Sequence, residues 1–145
     1  MRYYLNIGSN LGDRWASLYR AIVELARGAG GWCMLSEVFR SEPWGFDSPN
    51  GFLNIGVAID SDLQPLEVLD WLHTIERELG SASHRDANGN YVDRVVDIDI
   101  MTIESNPDAE GRRTQVVIDT PQLKTPHQHL AERPFFLIPL GQLRR

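Results

Sequence analysis

The chain has 145 residues, 42% hydrophobic and 23% charged, which suits one globular domain large enough to bury a core. A net charge of -6 and a pI near 5.1 argue against a duplex nucleic-acid binder, which carries a basic face, yet they leave room for a polyphosphate held by a local arginine cluster. No apolar run reaches the ~18 residues of a membrane span, and the opening MRYYLNIGSN lacks a signal-peptide core, so a cytoplasmic protein with no membrane partner is expected.

Arg2 to Ile7 is a short apolar run suited to a buried strand. The turn cluster Gly8-Ser9-Asn10-Leu11-Gly12-Asp13 follows, with Asp13 as a helix N-cap. It lacks the Gly-Lys-Ser/Thr of a P-loop, so a tight strand-to-helix turn is the better reading. Trp15, Leu18, Ile22, Leu25 and Ala29 recur at helical spacing and form one apolar face, and Gly28, Gly30 and Gly31 stop that helix. Trp32 to Phe39 reads as a second strand. It begins beside Cys33, the single cysteine, expected as a buried thiol without a disulfide partner.

Pro43, Pro49, Gly45 and Gly51, with the aromatics Trp44 and Phe46, make 41–51 a long loop. It serves either as a binding loop or as a cover for the core edge. Phe52 to Ile59 is a third strand, on which Asn54 shares a face with Phe52. An amide beside an aromatic can hydrogen-bond and stack a planar heterocycle. Pro65 opens a second helix with the stripe Leu69, Leu72, Ile75 and Leu79, flanked by Val68 and Trp71 and closed by Gly80. Glu76 borders that stripe, and such a charge beside Arg77 is more commonly solvated than half-buried. Residues 81–93 are polar and helix-breaking around Asn88-Gly89, and 105–114 form another polar excursion suited to a hairpin tip. Val116 to Asp119 reads as a short strand. Leu123-Lys124-Thr125-Pro126-His127 leads to a short helix near Gln128–Glu132, and Arg133 to Leu140 returns to apolar sequence.

The remaining stretch, RVVDIDIM from Arg94 to Met101, reads as the strand that organises the chain. Val96, Ile98 and Ile100 share one parity and point into a core, while Asp97 and Asp99 share the other, about 6.5–7 Å apart along the strand. Two carboxylates on one face repel and are costly to hold charged beside apolar residues unless something positive stands between them. A divalent cation with all-oxygen ligands answers this most simply. The plainer alternative, a solvent-facing acidic edge, is common for a short D-x-D. The order strand, helix, two strands, helix, strand matches the split β-α-β pattern. The expected class is α+β, a ferredoxin-like antiparallel sheet in a single domain over 1–145 with the helices packed on one face. The aspartates then lie on the sheet face or edge away from them.

IGSNLGD at 7–13, SEPWG at 41–45, FLN at 52–54, IERELG at 75–80, RVVDIDI at 94–100, TPH at 125–127 and RPFFLIPL at 133–140 stand in order along nearly the whole chain. In this it resembles the 6-hydroxymethyl-7,8-dihydropterin pyrophosphokinase family. The resemblance implies a monomeric, cytoplasmic enzyme of folate biosynthesis. It transfers pyrophosphate from ATP to the hydroxymethyl group of 6-hydroxymethyl-7,8-dihydropterin and releases AMP. Asp97 and Asp99 match the pair that holds two Mg²⁺ ions over the ATP phosphates, and Arg94 matches a phosphate-binding arginine. His127 and Arg133 match nucleotide-side residues. Ile100, Leu123 and Lys124 fall where the family builds its adenine pocket, and His73 and Glu76 lie at nucleotide-side helix positions. Ser41, Glu42 and Trp44 match the pterin loop, Asn54 the residue reading the pterin's hydrogen-bonding edge, and Phe52 and Phe135 the aromatics flanking the ring.

The chain departs from that family at Tyr91-Val92-Asp93-Arg94, where an aromatic-Gly-Pro-Arg is usual, and at Gly80-Ser81, where Gly-Arg is common; Arg85 is one candidate substitute for the missing arginine, with the loop alignment left open. The chain also stops soon after its final apolar run. Phosphoryl-type transfer needs positioning and charge neutralisation more than a strong base. Two magnesium ions roughly 3.5–4 Å apart can clamp the attacking and leaving oxygens. Arg94 and Arg133 neutralise developing charge, and His127 donates to phosphate. Residues 81–93, with His84, Arg85 and Tyr91, are expected to act as a lid that orders over both substrates, Tyr91 covering the pterin. Two rivals are a nucleotide-sensing module without turnover and an RNA-binding domain of similar topology. The second conflicts with aspartates where exposed aromatics should stand.

Overall fold

The computed structural model describes residues 1–43, 48, 50–80 and 95–145. In chain order it contains β1 (Arg2–Ser9), α1 (Arg14–Gly28), β2 (Met34–Ser41), β3 (Phe52–Asp60), α2 (Pro65–Glu78), β4 (Asp97–Glu104), β5 (Gln115–Val116), β6 (Ile118–Asp119) and β7 (Lys124–Thr125), then a 3₁₀ turn at Leu130–Glu132 and α3 (Pro134–Leu143). Five strands form one sheet in the order β2-β3-β1-β4-β5, with antiparallel pairing throughout. This is an α+β arrangement, and its first four strands follow the split β-α-β order.

Local chemistry sets the helix starts. The Asp13 side chain accepts the Ala16 N–H at 3.1 Å, and Glu67 accepts the Gln64 N–H at 3.0 Å in a capping box ahead of Pro65. Strand alternation sets the layers. Tyr3, Leu5, Ile7, Leu53, Ile55, Val57, Ile98 and Ile100 point to one face and pack against Leu18, Ala21 and Leu25 of α1 and Val68, Leu72 and Ile75 of α2. Both helices therefore share a face, as the sequence pattern requires. Trp15 does not join them and stays 53% exposed. A helical side chain leans toward the N-terminus, so a residue in the first turn projects past the core it is aimed at. Cys33 is half-buried against this core, not fully enclosed.

The apolar tail forms the third helix, on the other face. Phe136, Leu140 and Leu143 of α3 pack there on Tyr4, Ala58 and Met101. Two prolines hide this helix from a periodicity reading. Pro134 at its first position is compatible with a helix start, but Pro139 lies inside and has no N–H to give the carbonyl four residues back, which belongs to Phe135. The sheet supplies the missing donor: Asn6 Nδ2 on β1 donates to Phe135 O at 2.8 Å. Gly56 gives α3 room to sit down, since a Cβ there would stand 2.8 Å from Pro139 Cβ. Asn6→Ala should therefore cost about 1–3 kcal/mol in denaturant unfolding, because it orphans a part-buried carbonyl. Adding Pro139→Ala, which restores the helical donor, should recover part of that loss. Full additivity of the two changes would contradict this account.

Candidate active site

The face that carries α3 also carries the polar residues of the sheet, and strand register sets them in rows. Gly8 at the end of the central strand is flanked by Asn54 on β3 and Asp97 on β4. One step back, Asn6 is flanked by Gly56 and Asp99. Asn54 and Asp97 are thus two strand spacings apart, roughly 10 Å. Gly8 keeps the floor between them open, for a Cβ there would meet Asn54 Oδ1 at 3.2 Å and the Phe52 ring at 3.3 Å. Gly8 is the residue of this floor that motif reading missed. The usable signal was a glycine inside a strand pattern, which often marks the close approach of a ligand.

At the β3 end of this floor, Asn54 is buried. Its Nδ2 donates to Ser41 Oγ at 2.8 Å and Phe39 O at 3.2 Å, which turns Oδ1 toward Gly8 as the acceptor of the site. Ser41 ends β2 opposite Phe52, and Glu42 beyond it is exposed. Phe135 is half-buried and meets Phe136 edge-on, with centroids 5.2 Å apart. Trp44, Tyr91 and Arg94 lie outside the described residues, as do His84, Arg85 and the whole 81–93 segment.

At the β4 end, Asp97 and Asp99 are both half-buried on the shared face. His127 Nε2 stands 3.9 Å from Asp99 Oδ1. Burial, helped by the positive charge of Arg133 and by His129, pushes the His127 imidazole down to about 4 and outweighs the pull of Asp97. The ring is therefore uncharged at neutral pH and forms no ion pair with Asp99. Its Nδ1 accepts the His129 N–H at 3.1 Å, which leaves the proton on Nε2, facing the carboxylate side. The ring is held edge-on to Phe136 at 5.0 Å. Arg133 is buried, with its guanidinium carbon 4.9 Å from the Phe136 ring centre and 5.6 Å from that of Phe135.

On the far side of β4 opens a cavity of about 300 Å³ lined by Leu69, His73, Ile98, Asp99, Ile100, Pro121, Gln122, Leu123, Lys124, His127 and Gln128. His73, Ile100, Leu123, Lys124 and His127 thus meet around one space, with Asp99 on its rim. Lys124 is exposed and paired with Asp119. Glu76 is not among the lining residues. It is buried, where its place beside Arg77 suggested a solvated charge, and its Oε2 accepts the Ile98 N–H at 3.0 Å.

Two carboxylates fit a hard divalent cation, which takes oxygen donors and accepts few from protein when phosphates and water complete its shell. Among the described residues no three or more His, Cys, Asp or Glu side chains gather to hold a metal unaided. Among the same residues no helix is long and apolar enough to cross a membrane.

A family model described as 7,8-dihydro-6-hydroxymethylpterin-pyrophosphokinase matches residues 4–145. The chain is 39% identical over 140 residues to a 2-amino-4-hydroxy-6-hydroxymethyldihydropteridine pyrophosphokinase of Porphyromonas gingivalis, spanning 97% of this chain and 88% of that one. Proteins of the same description from Methylorubrum extorquens and Aquifex aeolicus are 35% identical over 98% of this chain and 82% of theirs, and 34% identical over 97% and 78%.

Proposed function

The chain belongs to the 7,8-dihydro-6-hydroxymethylpterin-pyrophosphokinase family and is a pyrophosphokinase of folate biosynthesis acting on hydroxymethyldihydropterin; from that premise we propose which residues serve each substrate. The pterin lies at the Asn54 end of the open floor and ATP at the Asp97 and Asp99 end. The observation that carries this is the row Asn54–Gly8–Asp97 across three adjacent strands. It offers a heterocycle acceptor and a metal-type carboxylate about 10 Å apart, with the side-chain-free Gly8 on the strand between them.

Asn54 Oδ1 accepts from the pterin's amino edge, and Phe52 and Phe135 contribute apolar surface to the ring. Ser41, Glu42 and Trp44 belong to the same pterin side, with Tyr91 as cover. Ile100, Leu123, Lys124 and His73 line the nucleotide cavity. Asp97 and Asp99 hold magnesium, which supplies charge neutralisation to the phosphates when bound. The hydroxymethyl oxygen attacks the β-phosphorus in line and AMP leaves. His127 donates its Nε2–H to a phosphate oxygen as a neutral ring. Arg133 and Arg94 offset the charge that builds on the transferred group. Such a step rests on positioning and electrostatics, so no side chain is assigned as general base.

The test is AMP formation by the full chain from ATP with a hydroxymethyldihydropterin, with and without chelator. One AMP per pterin diphosphate, dependent on magnesium, is expected. AMP release that ignores the pterin would overturn the reading. Asn54→Ala should weaken pterin binding by about 1–3 kcal/mol and leave binding of an ATP analogue nearly unchanged in calorimetric titration. Equal losses for both ligands would remove Asn54 from the pterin side.

A further inference from the structure

β4 is paired on one side by β1 along its length, but on the other side β5 reaches only Ile103 and Glu104. Among the described residues, no strand therefore pairs with that edge of the segment that carries both aspartates. In an antiparallel ladder the main-chain groups of alternate residues face opposite edges, and Ile98 turns its N–H to that one. An unpaired buried N–H is costly, and an unpaired edge frays. The donor is met from α2: Glu76 Oε2 accepts it at 3.0 Å in a buried contact. Three residues on, the same edge is closed again where His127 N–H donates to Met101 O at 2.8 Å. Ile98 is the residue between Asp97 and Asp99, and its N–H belongs to the peptide unit that joins it to Asp97.

We propose that Glu76 is the positioning residue of the aspartate pair, holding the peptide between Asp97 and Asp99 so that both carboxylates keep their places on the opposite face. The proposal deepens the reading above and rests on it. Repulsion between the two carboxylates, or the pull of a bound ion, acts on a strand that β1 restrains from one side; the bond from α2 restrains it from the other. It also couples the pair to the helix that carries His73 at the nucleotide cavity.

The experiment compares Glu76→Ala, which removes the acceptor, with Glu76→Gln, which keeps an acceptor oxygen and removes the charge. In the substrate-free full chain, amide exchange followed by NMR should speed about tenfold at Ile98 in Glu76→Ala, relative to Leu5 and Val57 in the core. In Glu76→Gln it should stay near the parent. Turnover should fall about 10- to 100-fold in Glu76→Ala through kcat, as for a misplaced catalytic group, with KM for the pterin little changed. In Glu76→Gln most of it should remain. Unchanged Ile98 exchange in Glu76→Ala overturns the proposal. So does a Glu76→Gln variant as slow as Glu76→Ala, which would make the charge and not the hydrogen bond the active feature. If Glu76→Ala does not fold, the Glu76→Gln kinetics decide alone. A parent chain without turnover overturns the functional reading, while Ile98 exchange still reports whether Glu76 holds β4.

Discussion

Asp97→Ala and Asp99→Ala should each lower turnover by at least about 10³-fold, roughly 4 kcal/mol in the transition state, while the protein stays folded. The size follows from the metal-holding role proposed for the pair. A cation held by carboxylates over a triphosphate neutralises charge that no neutral side chain can match in a partly buried site. The fold should survive because both side chains are only half-buried and face away from the core under α1 and α2. Removing one of two neighbouring carboxylates also relieves repulsion, so the melting temperature should hold or rise. Circular dichroism and AMP formation check the two halves. Calorimetry with an ATP analogue gives a readout apart from activity: magnesium should strengthen its binding to the parent and do so far less in either variant. A folded variant with near-parental turnover would sink the assignment of the pair.

Arg133→Lys should lower turnover by about 10²-fold although the charge is kept. The guanidinium carbon lies 4.9 Å and 5.6 Å from two aromatic ring centres, a cation–π placement for which arginine and lysine are not interchangeable. It is also buried, so its orientation is set by packing and not by water. Lysine loses the fixed fork that meets phosphate oxygens two at a time. The cost to folding should be near ~1 kcal/mol, the scale of the lost cation–π contact, because the main chain of Arg133 still accepts the first N–H groups of α3. Chemical denaturation and steady-state kinetics separate the two effects. Parental kcat in Arg133→Lys would mean that charge alone suffices there.

Much of this was open to a reading of the chain, and the reason is locality. Strand alternation put Val96, Ile98 and Ile100 on one face and Asp97 and Asp99 on the other, and the cap at Asp13 and the first-turn Pro65 marked where helices begin. These depend on residues a few positions apart, which any stretch of sequence carries within itself. Two prolines broke the same logic at α3: a residue without an N–H argues against a helix unless its orphaned carbonyl finds another donor, and that donor, Asn6, lies at the far end of the chain. Trp15 failed for a related reason, since helical spacing gives a direction but not the extent of the core it points at.

The site itself needed the fold. Sequence shows Asn54, Gly8 and Asp97 as three unrelated positions, and only the register of β3 and β4 against β1 sets them in one row. Gly8 read as the start of a turn because Ser9 to Asp13 carry turn chemistry, and a glycine in a strand pattern does not by itself name the two neighbours whose space it leaves open. Glu76 beside Arg77 has the local look of a solvated charge, and its burial follows from an unfilled donor on a strand more than twenty residues away. Local periodicity is written along the chain. The partner of a buried polar group is chosen across it, by which edges the sheet leaves open and which helix covers them.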